Sequence, residues 1–309
     1  MRGAMQDHRS ARPDNAQAQN AFVACGICVI LALVGLRSEP SFAQVTEFAL
    51  GEVDTVRIAE PSRKFTEPSG ITLASDGSHY WVVSDNSATV FLMTGKGKLK
   101  PSEALSVGVD DLEGITLDED GNRLLAVQEG TSTVVQISLE DGSVSGFPIA
   151  DMAGFPEVAE TFGSLRTNNG LEGIAFDTSR REVLLVKEAN PRLLLRLSSD
   201  LTTILGAVVL SEEDGFACDG TDDSALDVSD IHYDRHRRVL WVLSDTGACI
   251  LIADPDTGLV IGRARGLSPE KPLRLPKNPE GISLDAEGTR LRIVTDDGKD
   301  SRMVILSIE

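Results

Sequence analysis

Carboxylates recur at fixed places in five similar stretches of this chain, called here the motif segments. The motif segments are residues 67–85, 111–129, 170–188, 227–245 and 278–296, and they align without gaps. Each ends in an acid at its nineteenth place, namely Asp85, Glu129, Glu188, Asp245 and Asp296. At the third place stand Glu113, Glu172 and Glu280, with Ser69 and Ser229 in the other two segments. A register shared in this way indicates that the acids occupy equivalent positions of a repeated structure.

Acids that meet at one place repel each other, so they must protonate, move apart or share a cation. Oxygen ligands without histidine or cysteine suit calcium, which takes about six to eight oxygens in flexible geometry. The motif therefore predicts calcium as a cofactor, with these ligands: Asp85, Glu113, Glu129, Glu172, Glu188, Asp245, Glu280 and Asp296. Four flanking asparagines are candidates to add amide oxygens: Asn86, Asn168, Asn169 and Asn190. The alternative is that the acids only accept hydrogen bonds from the amides of turns.

The pattern within each motif segment predicts a β-hairpin. A short strand such as 114–117 is followed by turn residues, as in 118–122, and then by a continuous apolar run such as 183–186. The two ends of a hairpin lie side by side, so the third and nineteenth places meet at one edge. Continuous apolarity indicates that both faces of the second strand are covered. The acidic stretch 118–122 resembles a calcium loop only superficially, and we interpret it as a hairpin turn.

The spacing of the motif segments predicts an all-β fold, a five-bladed β-propeller. Successive segments begin 44 to 59 residues apart, which fits one four-stranded blade each, with loops. Only one further strand follows the last segment, and the stretch 46–59 has no motif of its own. We therefore expect an N-terminal strand to close the last blade, with the acids around one mouth of the channel. A six-bladed propeller with one degenerate blade is the alternative.

The N-terminal residues predict export. Residues 21–36 carry no charge, arginines precede them, and a small-x-small cleavage pattern follows at 41–43. We expect a signal peptide over 1–43 and a single propeller domain over 44–309, in the periplasm or outside the cell. The apolar run is short for a membrane span, which needs about 20 residues, so no stable span is expected after cleavage. An uncleaved N-terminal anchor is the alternative.

The net charge of −19 argues against a nucleic acid partner, because such a surface repels phosphate backbones. Cys218 and Cys249 are the cysteines outside the predicted signal, and they either pair in an oxidising compartment or remain free thiols. The sequence has no G-x-S-x-G elbow and no phosphate-binding G-x-x-x-x-G-K-[ST] motif. His232 lies in a predicted strand and is interpreted as structural.

Taken together, the segments resemble the SdiA-regulated domain family, the YjiK-like bacterial β-propellers. The resemblance covers 65–308 and rests on short motifs at 69–71, 83–86, 111–115, 169–175, 186–191, 226–229, 243–245 and 279–281. It implies a five-bladed propeller, export and a calcium site among the rim acids, and it names no substrate. One departure is Asp230, where the pattern has glycine, and another is the acid-rich stretch 219–223. Either departure is a candidate to add a ligand.

Two functions of different classes remain open at this point. The first is an exported calcium-binding propeller that acts as a binding or envelope-associated module, with a protein or small-molecule partner at the channel mouth. The alternative is a calcium-dependent hydrolase of phosphoesters or lactones, prompted by a weaker similarity to phytase-like propellers. Such an enzyme pairs its acids with basic residues, and Lys187, Arg192 and Lys277 are the candidates. The sequence assigns no catalytic residue.

Overall fold

A computed structural model describes residues 46–166 and 169–309. The predicted signal peptide, residues 1–43, and Asn168 lie outside these residues. Within them, no helix is both long enough and apolar enough to cross a membrane.

The described chain is all-β, and its strands form five successive units named here by their motif segments. Unit 1 contains β2 (Pro68–Leu73), β3 (His79–Ser84), β4 (Thr89–Thr94) and β5 (Leu105–Ser106). Unit 2 contains β6 (Leu112–Asp118), β7 (Arg123–Gln128), β8 (Thr133–Ser138) and β9 (Val144–Pro148). Unit 3 contains β10 (Leu171–Asp177), β11 (Glu182–Lys187), β12 (Leu193–Ser198) and β13 (Ile204–Val209).

The last two units share a strand at the start of the chain. Unit 4 contains β14 (Asp230–Asp234), β15 (Val239–Ser244), β16 (Cys249–Ala253) and β17 (Val260–Gly266). Unit 5 contains β18 (Pro279–Leu284), β19 (Arg290–Thr295) and β20 (Arg302–Ile308), and β1 (Thr46–Arg57) lies beside β20.

Helices in the described residues are short and lie in the connections. The α-helix α1 (Phe155–Phe162) precedes unit 3. The 3-10 turns are Pro61–Arg63, Pro101–Glu103, Glu129–Thr131, Ile149–Asp151, Glu212–Asp214, Asp223–Ala225 and Gly298–Asp300.

Units 1, 2 and 3 are separate four-stranded sheets, whereas units 4 and 5 are joined by β1. Residues 50–57 of β1 pair antiparallel with β20, so β1 supplies the outer strand that the sequence predicts for the last unit. Residues 46–50 pair parallel with β17, a contact that the sequence does not foretell. The resulting eight-stranded sheet has the order β14-β15-β16-β17-β1-β20-β19-β18.

The first strands of the five units contact one another in a closed cyclic order, β2, β6, β10, β14, β18 and back to β2. Glycine at the fourth place of the motif permits this approach. A Cβ atom on Gly114 would lie 2.5 Å from the carbonyl oxygen of Glu172, and one on Gly281 would lie 2.7 Å from that of Ser69. The obstructing atoms belong to backbone, which cannot move aside as a flexible side chain would.

Five apolar clusters fill the interfaces between neighbouring units of the described chain. The second strands contribute to two clusters at once. In β11, Leu184 packs toward unit 4 and the next residue, Leu185, packs toward unit 2. Both side chains are buried, and a buried leucine typically contributes about 1.5–3 kcal/mol. This arrangement confirms that the apolar runs are covered on both faces.

Two open points of sequence interpretation are settled by local contacts. Asp118 accepts hydrogen bonds from the backbone N–H of Gly121 at 3.0 Å and from Arg123 Nε at 2.9 Å, as expected of a hairpin turn.

Cys218 and Cys249 form a disulfide between the loop before β14 and the start of β16.

Candidate metal centre at the rim

The eight acids predicted from the motif all line one cavity of about 230 Å³. The set is Asp85, Glu113, Glu129, Glu172, Glu188, Asp245, Glu280 and Asp296, and Ser69, Ser229 and Asp227 complete the lining. The cavity lies where the first strands begin and the second strands end. We call it the rim cavity.

Hairpin register explains why the third and nineteenth places meet. The backbone N–H of Glu188 donates to the carbonyl of Gly170 at 2.9 Å, which ties the end of β11 to the start of β10. In unit 4 the serine at the third place makes this tie, because Ser229 Oγ accepts from the N–H of Asp245 at 3.0 Å. Ser69 does the same for Asp85 at 3.1 Å.

Irregular pairing at the third and fourth places helps to turn the acids into the cavity. Register shifts occur in the first hairpins of units 1, 2, 3 and 5, between Leu112 and Ile115 in unit 2 for example. Shifts of this kind locally re-aim side chains and are frequent beside functional sites. The hairpin of unit 4 pairs without a shift, and its fourth place holds Asp230 where the other four units have glycine.

At the rim, the lining acids and the neighbouring Asp111 form two compact groups. Asp85, Asp111 and Glu113 each offer a carboxylate oxygen, and these atoms lie within 4.8 Å of one another. Glu129, Glu172 and Glu188 form an equivalent group. Each group offers several oxygens at distances that one cation spans.

Two acids of the site, Asp111 and Asp227, were missed by the sequence analysis. Both stand at the first place of a motif segment, which the hairpin holds beside the nineteenth place. Asp111 accepts from the N–H of Gly130 at 2.7 Å, and Asp227 accepts from Ser244 Oγ at 2.6 Å. The sequence signal that could have identified them is that two of the five motif segments begin with an aspartate.

Burial and mutual repulsion raise the pKa of the rim acids. Burial, followed by the charges of Asp85 and Glu129, raises the pKa of Glu113 to about 8. Burial and then Asp245 raise the pKa of Glu280 to about 8. The pKa of Glu172 lies well above its ordinary value, because of burial first and the charge of Glu113 second. Burial is also the largest cause of the raised pKa values of Asp85, Glu129, Glu188 and Asp245.

Some of the acids are held by hydrogen bonds, in line with the turn-amide interpretation. Glu129 Oε1 accepts from the N–H of Gly170 at 3.0 Å, and Glu188 Oε2 accepts from Asn169 Nδ2 at 2.9 Å. The buried glutamates of the third place differ. Over the described residues, no backbone N–H donates to Glu113, Glu172 or Glu280. Hydrogen bonds to the amides of turns therefore explain the positions of only some of the acids in the rim cavity.

Of the four flanking asparagines, Asn86, Asn169 and Asn190 lie in the described chain, and none of these three is among the residues that line the rim cavity. Asn169 directs its amino group to Glu188, and Asn86 Oδ1 accepts a hydrogen bond from Ser84 at 3.1 Å. Asn190, which precedes a cis peptide bond to Pro191, is also absent from the lining.

Basic side chains near the rim are engaged elsewhere. The Lys187 ammonium donates to the carbonyl of Ala189 and lies 5.8 Å from the centre of the Phe162 ring. Arg192 pairs with Asp223, and Lys277 is exposed and lies 3.8 Å from Asp297. Acids and serines make up the whole lining of the rim cavity in the described chain. The cationic groups that a phytase-like hydrolase needs are therefore not directed at the acids.

Neither departure from the family pattern adds a ligand to the rim cavity. In the acid-rich stretch, Asp219 pairs with Arg265 at 3.0 Å and Asp223 with Arg192. Asp230 is buried one residue below the rim, where its carboxylate accepts from the N–H groups of Ile231 and Ile282. Asp230 thus ties unit 4 to unit 5 in the place where the other units have glycine.

The fold and site define an all-β protein of propeller-like four-stranded units with an acidic cavity at one end. The chain belongs to the SdiA-regulated family, whose model matches residues 56–296. Searching curated proteins finds no relative of this chain.

Several solved structures align with the chain at low identity, and the one with a TM-score above 0.5 resembles it in fold. Glutaminyl cyclase from Myxococcus xanthus superposes with a TM-score of 0.56 at 14% identity, over 86% of this chain and 100% of the cyclase. The PQQ-bound form of aldose sugar dehydrogenase from Streptomyces coelicolor aligns with a TM-score of 0.49 at 13% identity. The alignment covers 86% of this chain and 100% of the dehydrogenase. Streptogramin B lyase aligns with a TM-score of 0.45 at 12% identity, and the alignment covers 85% of this chain and 98% of the lyase.

Proposed function

We propose that this protein is an exported five-bladed β-propeller that binds calcium in the rim cavity. The observation that carries the proposal is the convergence of all eight motif acids on one cavity. The two compact groups of acids define two positions for an ion, one beside Glu113 and one beside Glu172.

Five blades are supported by the connections between units. The cyclic order of first strands has five members, and each of the five apolar clusters joins two adjacent units. Pairing of β1 with β20 gives unit 5 its fourth strand. The parallel pairing of β1 with β17 places units 4 and 5 in one sheet without changing this order.

Calcium is favoured by the chemistry of the donors. The lining offers carboxylate and hydroxyl oxygens and no nitrogen or sulfur ligand among the described residues. Hard divalent cations prefer such oxygens, and calcium tolerates the irregular geometry of a multi-strand rim better than magnesium does. Burial first and the charges of neighbouring acids second raise the pKa values of Glu113 and Glu172, and a shared cation would offset both effects.

Export is supported by two independent features. The charge and apolarity pattern of residues 1–43 fits a signal peptide, so we place the mature protein in the periplasm or outside the cell. The disulfide between Cys218 and Cys249 is typical of proteins that fold in oxidising compartments.

We further propose a binding role rather than hydrolysis. A partner, either a protein or a small molecule, would reach the bound calcium at the channel mouth and complete its coordination with an oxygen. This preference is supported by the lining of the rim cavity, which in the described residues contains acids and serines and no basic side chain. The hydrogen bonds that Lys187 and Arg192 make to other groups also support it.

Calorimetric titration of calcium into metal-free protein tests the proposal. We expect the wild type to bind calcium and Glu172→Gln to bind it at least tenfold more weakly. A tenfold increase in Kd corresponds to a loss of about 1.4 kcal/mol of binding free energy. Glu160→Gln is the matched control, since Glu160 is an exposed glutamate of α1. Equal affinity in the three proteins, or no calcium binding to the wild type, would overturn the proposal.

A further inference from the structure

A second cavity, of about 250 Å³, lies at the opposite ends of the same first strands. Glu113 lines the rim cavity and Thr116 of the same strand lines the second one. Three residues of strand separate the two positions by about 10 Å. The buried Asp230 lies between Ser229 of the rim and His232 of the second cavity. We call this second cavity the far cavity.

Polar side chains at the sixth place of three motif segments face the far cavity. Thr72 and Thr116 are 5% and 8% exposed, and His232 lines the same space. Across the described residues, neither threonine hydroxyl nor the His232 ring has a hydrogen-bond partner in the protein. Their polar atoms are not among the fully enclosed unpaired atoms of the described chain, so they remain accessible from the cavity. These three groups are therefore available to a ligand that enters the cavity.

The three groups at the sixth place are uncharged. Burial lowers the pKa of His232 to about 4, so its ring is neutral at physiological pH, with one donor and one acceptor nitrogen. Of the charged residues in the lining, four are acids and one is an arginine, namely Asp76, Glu119, Asp234, Asp285 and Arg235. Asp234 pairs with Arg237 at 2.7 Å, and Asp76 binds His79 at 2.5 Å. An anionic ligand would therefore meet more negative than positive charge in the lining.

Apolar side chains of the seventh place supply the remaining walls. Leu73, Leu117 and Phe176 line the far cavity beside the polar groups. The volume is near the lower end for small-molecule sites, which span about 300–1,000 Å³. The cavity thus combines a few groups that both donate and accept hydrogen bonds with an apolar wall.

We propose that the far cavity binds a small uncharged polyol, of the size of a monosaccharide or a cyclitol. Hydroxyl groups of such a ligand donate and accept, as the threonines and the neutral imidazole do, and its C–H face suits the leucine wall. This site is separate from the rim cavity and does not depend on calcium.

Nuclear magnetic resonance of the His232 imidazole tests the site in the whole protein. The chain has four histidines, so the His232 signals are assigned by their loss in His232→Gln. D-glucose and myo-inositol are the neutral probes, and D-glucuronate is the charged one. We expect a saturable shift of the His232 ring signals with at least one neutral probe and none with glucuronate.

Two variants separate the proposed contacts from general effects. The double change Thr72→Val and Thr116→Val should weaken the saturable shift at least tenfold, whereas Thr55→Val, an exposed threonine of β1, should leave it unchanged. Removal of calcium and Glu172→Gln should also leave it unchanged, which distinguishes this site from the rim. Absence of a saturable shift with both neutral probes in the wild type would overturn the proposal, whatever the variants do. Equal shifts with glucuronate would also overturn it.

Discussion

The carboxylate of Asp230 in unit 4 accepts a 2.9 Å hydrogen bond from the backbone N–H of Ile282 in unit 5. Its other oxygen accepts from the N–H of Ile231 at 2.8 Å. The side chain is buried, and burial raises its pKa well above the ordinary value. Asp230 therefore joins the first strands of units 4 and 5 and gives two backbone amides an acceptor.

Replacing Asp230 with alanine should destabilise the fold. The change leaves two buried N–H groups without an acceptor, and an unsatisfied buried group costs about 1–3 kcal/mol. Urea unfolding of the variant measures the loss. Asp222→Ala is the control, since Asp222 is exposed and should change stability by less than about 0.5 kcal/mol. A loss in Asp230→Ala no greater than in the control would contradict the role given to this carboxylate.

Gly114→Ala should weaken the contact between β6 and β10. The added Cβ would lie 2.5 Å from the carbonyl oxygen of Glu172 and 3.0 Å from the Cα of Gly173. Overpacking of this kind typically costs about 1–3 kcal/mol. Gly206→Ala is the matched control, because a Cβ there has no neighbour within 4 Å. Equal urea midpoints for the two variants would show that the first strands do not approach as closely as described.

Without divalent cations, stability should fall as pH rises. The pKa values of Glu113 and Glu280 are about 8 in the folded protein, above the ordinary glutamate value of 4.5. Between these values the folded state binds more protons than the unfolded chain, so the free energy of unfolding decreases with increasing pH. The slope is at most about 1.4 kcal/mol per pH unit for each such acid.

Urea unfolding in chelator between pH about 5 and about 8 checks this dependence. Glu113→Gln should flatten it, since glutamine does not titrate, while the exposed Glu160→Gln should leave the slope as in the wild type. Stability that is constant or rises across this interval would contradict the electrostatic description of the rim.

The sequence predicted the position of the acids well because hairpin pairing is local. Once Glu172 and Glu188 are assigned to the two ends of one hairpin, backbone hydrogen bonds bring them to one edge. Because the motif repeats, the same pairing predicts the positions of the acids in the other units. The arrangement of the acids into two groups depends on distances between units, which residue spacing does not encode.

Other features depend on contacts between distant parts of the chain. The parallel pairing of β1 with β17 joins strands that are far apart in the sequence, so no local pattern predicts it. The role of Asp230 is visible only when Ile282 of the next unit is in place. His232 looked structural in its strand, and the structure shows that it also lines a cavity.

Thermal unfolding of the purified protein in excess chelator, and then in graded calcium, tests the central claim most directly. A ligand that binds only the native state raises stability by about 2.7 kcal/mol at a hundredfold excess over its Kd. We predict that calcium raises the Tm and that magnesium at equal concentration does not reproduce the rise. An unchanged Tm in calcium, with the starting protein shown to be metal-free, would contradict a calcium site at the rim.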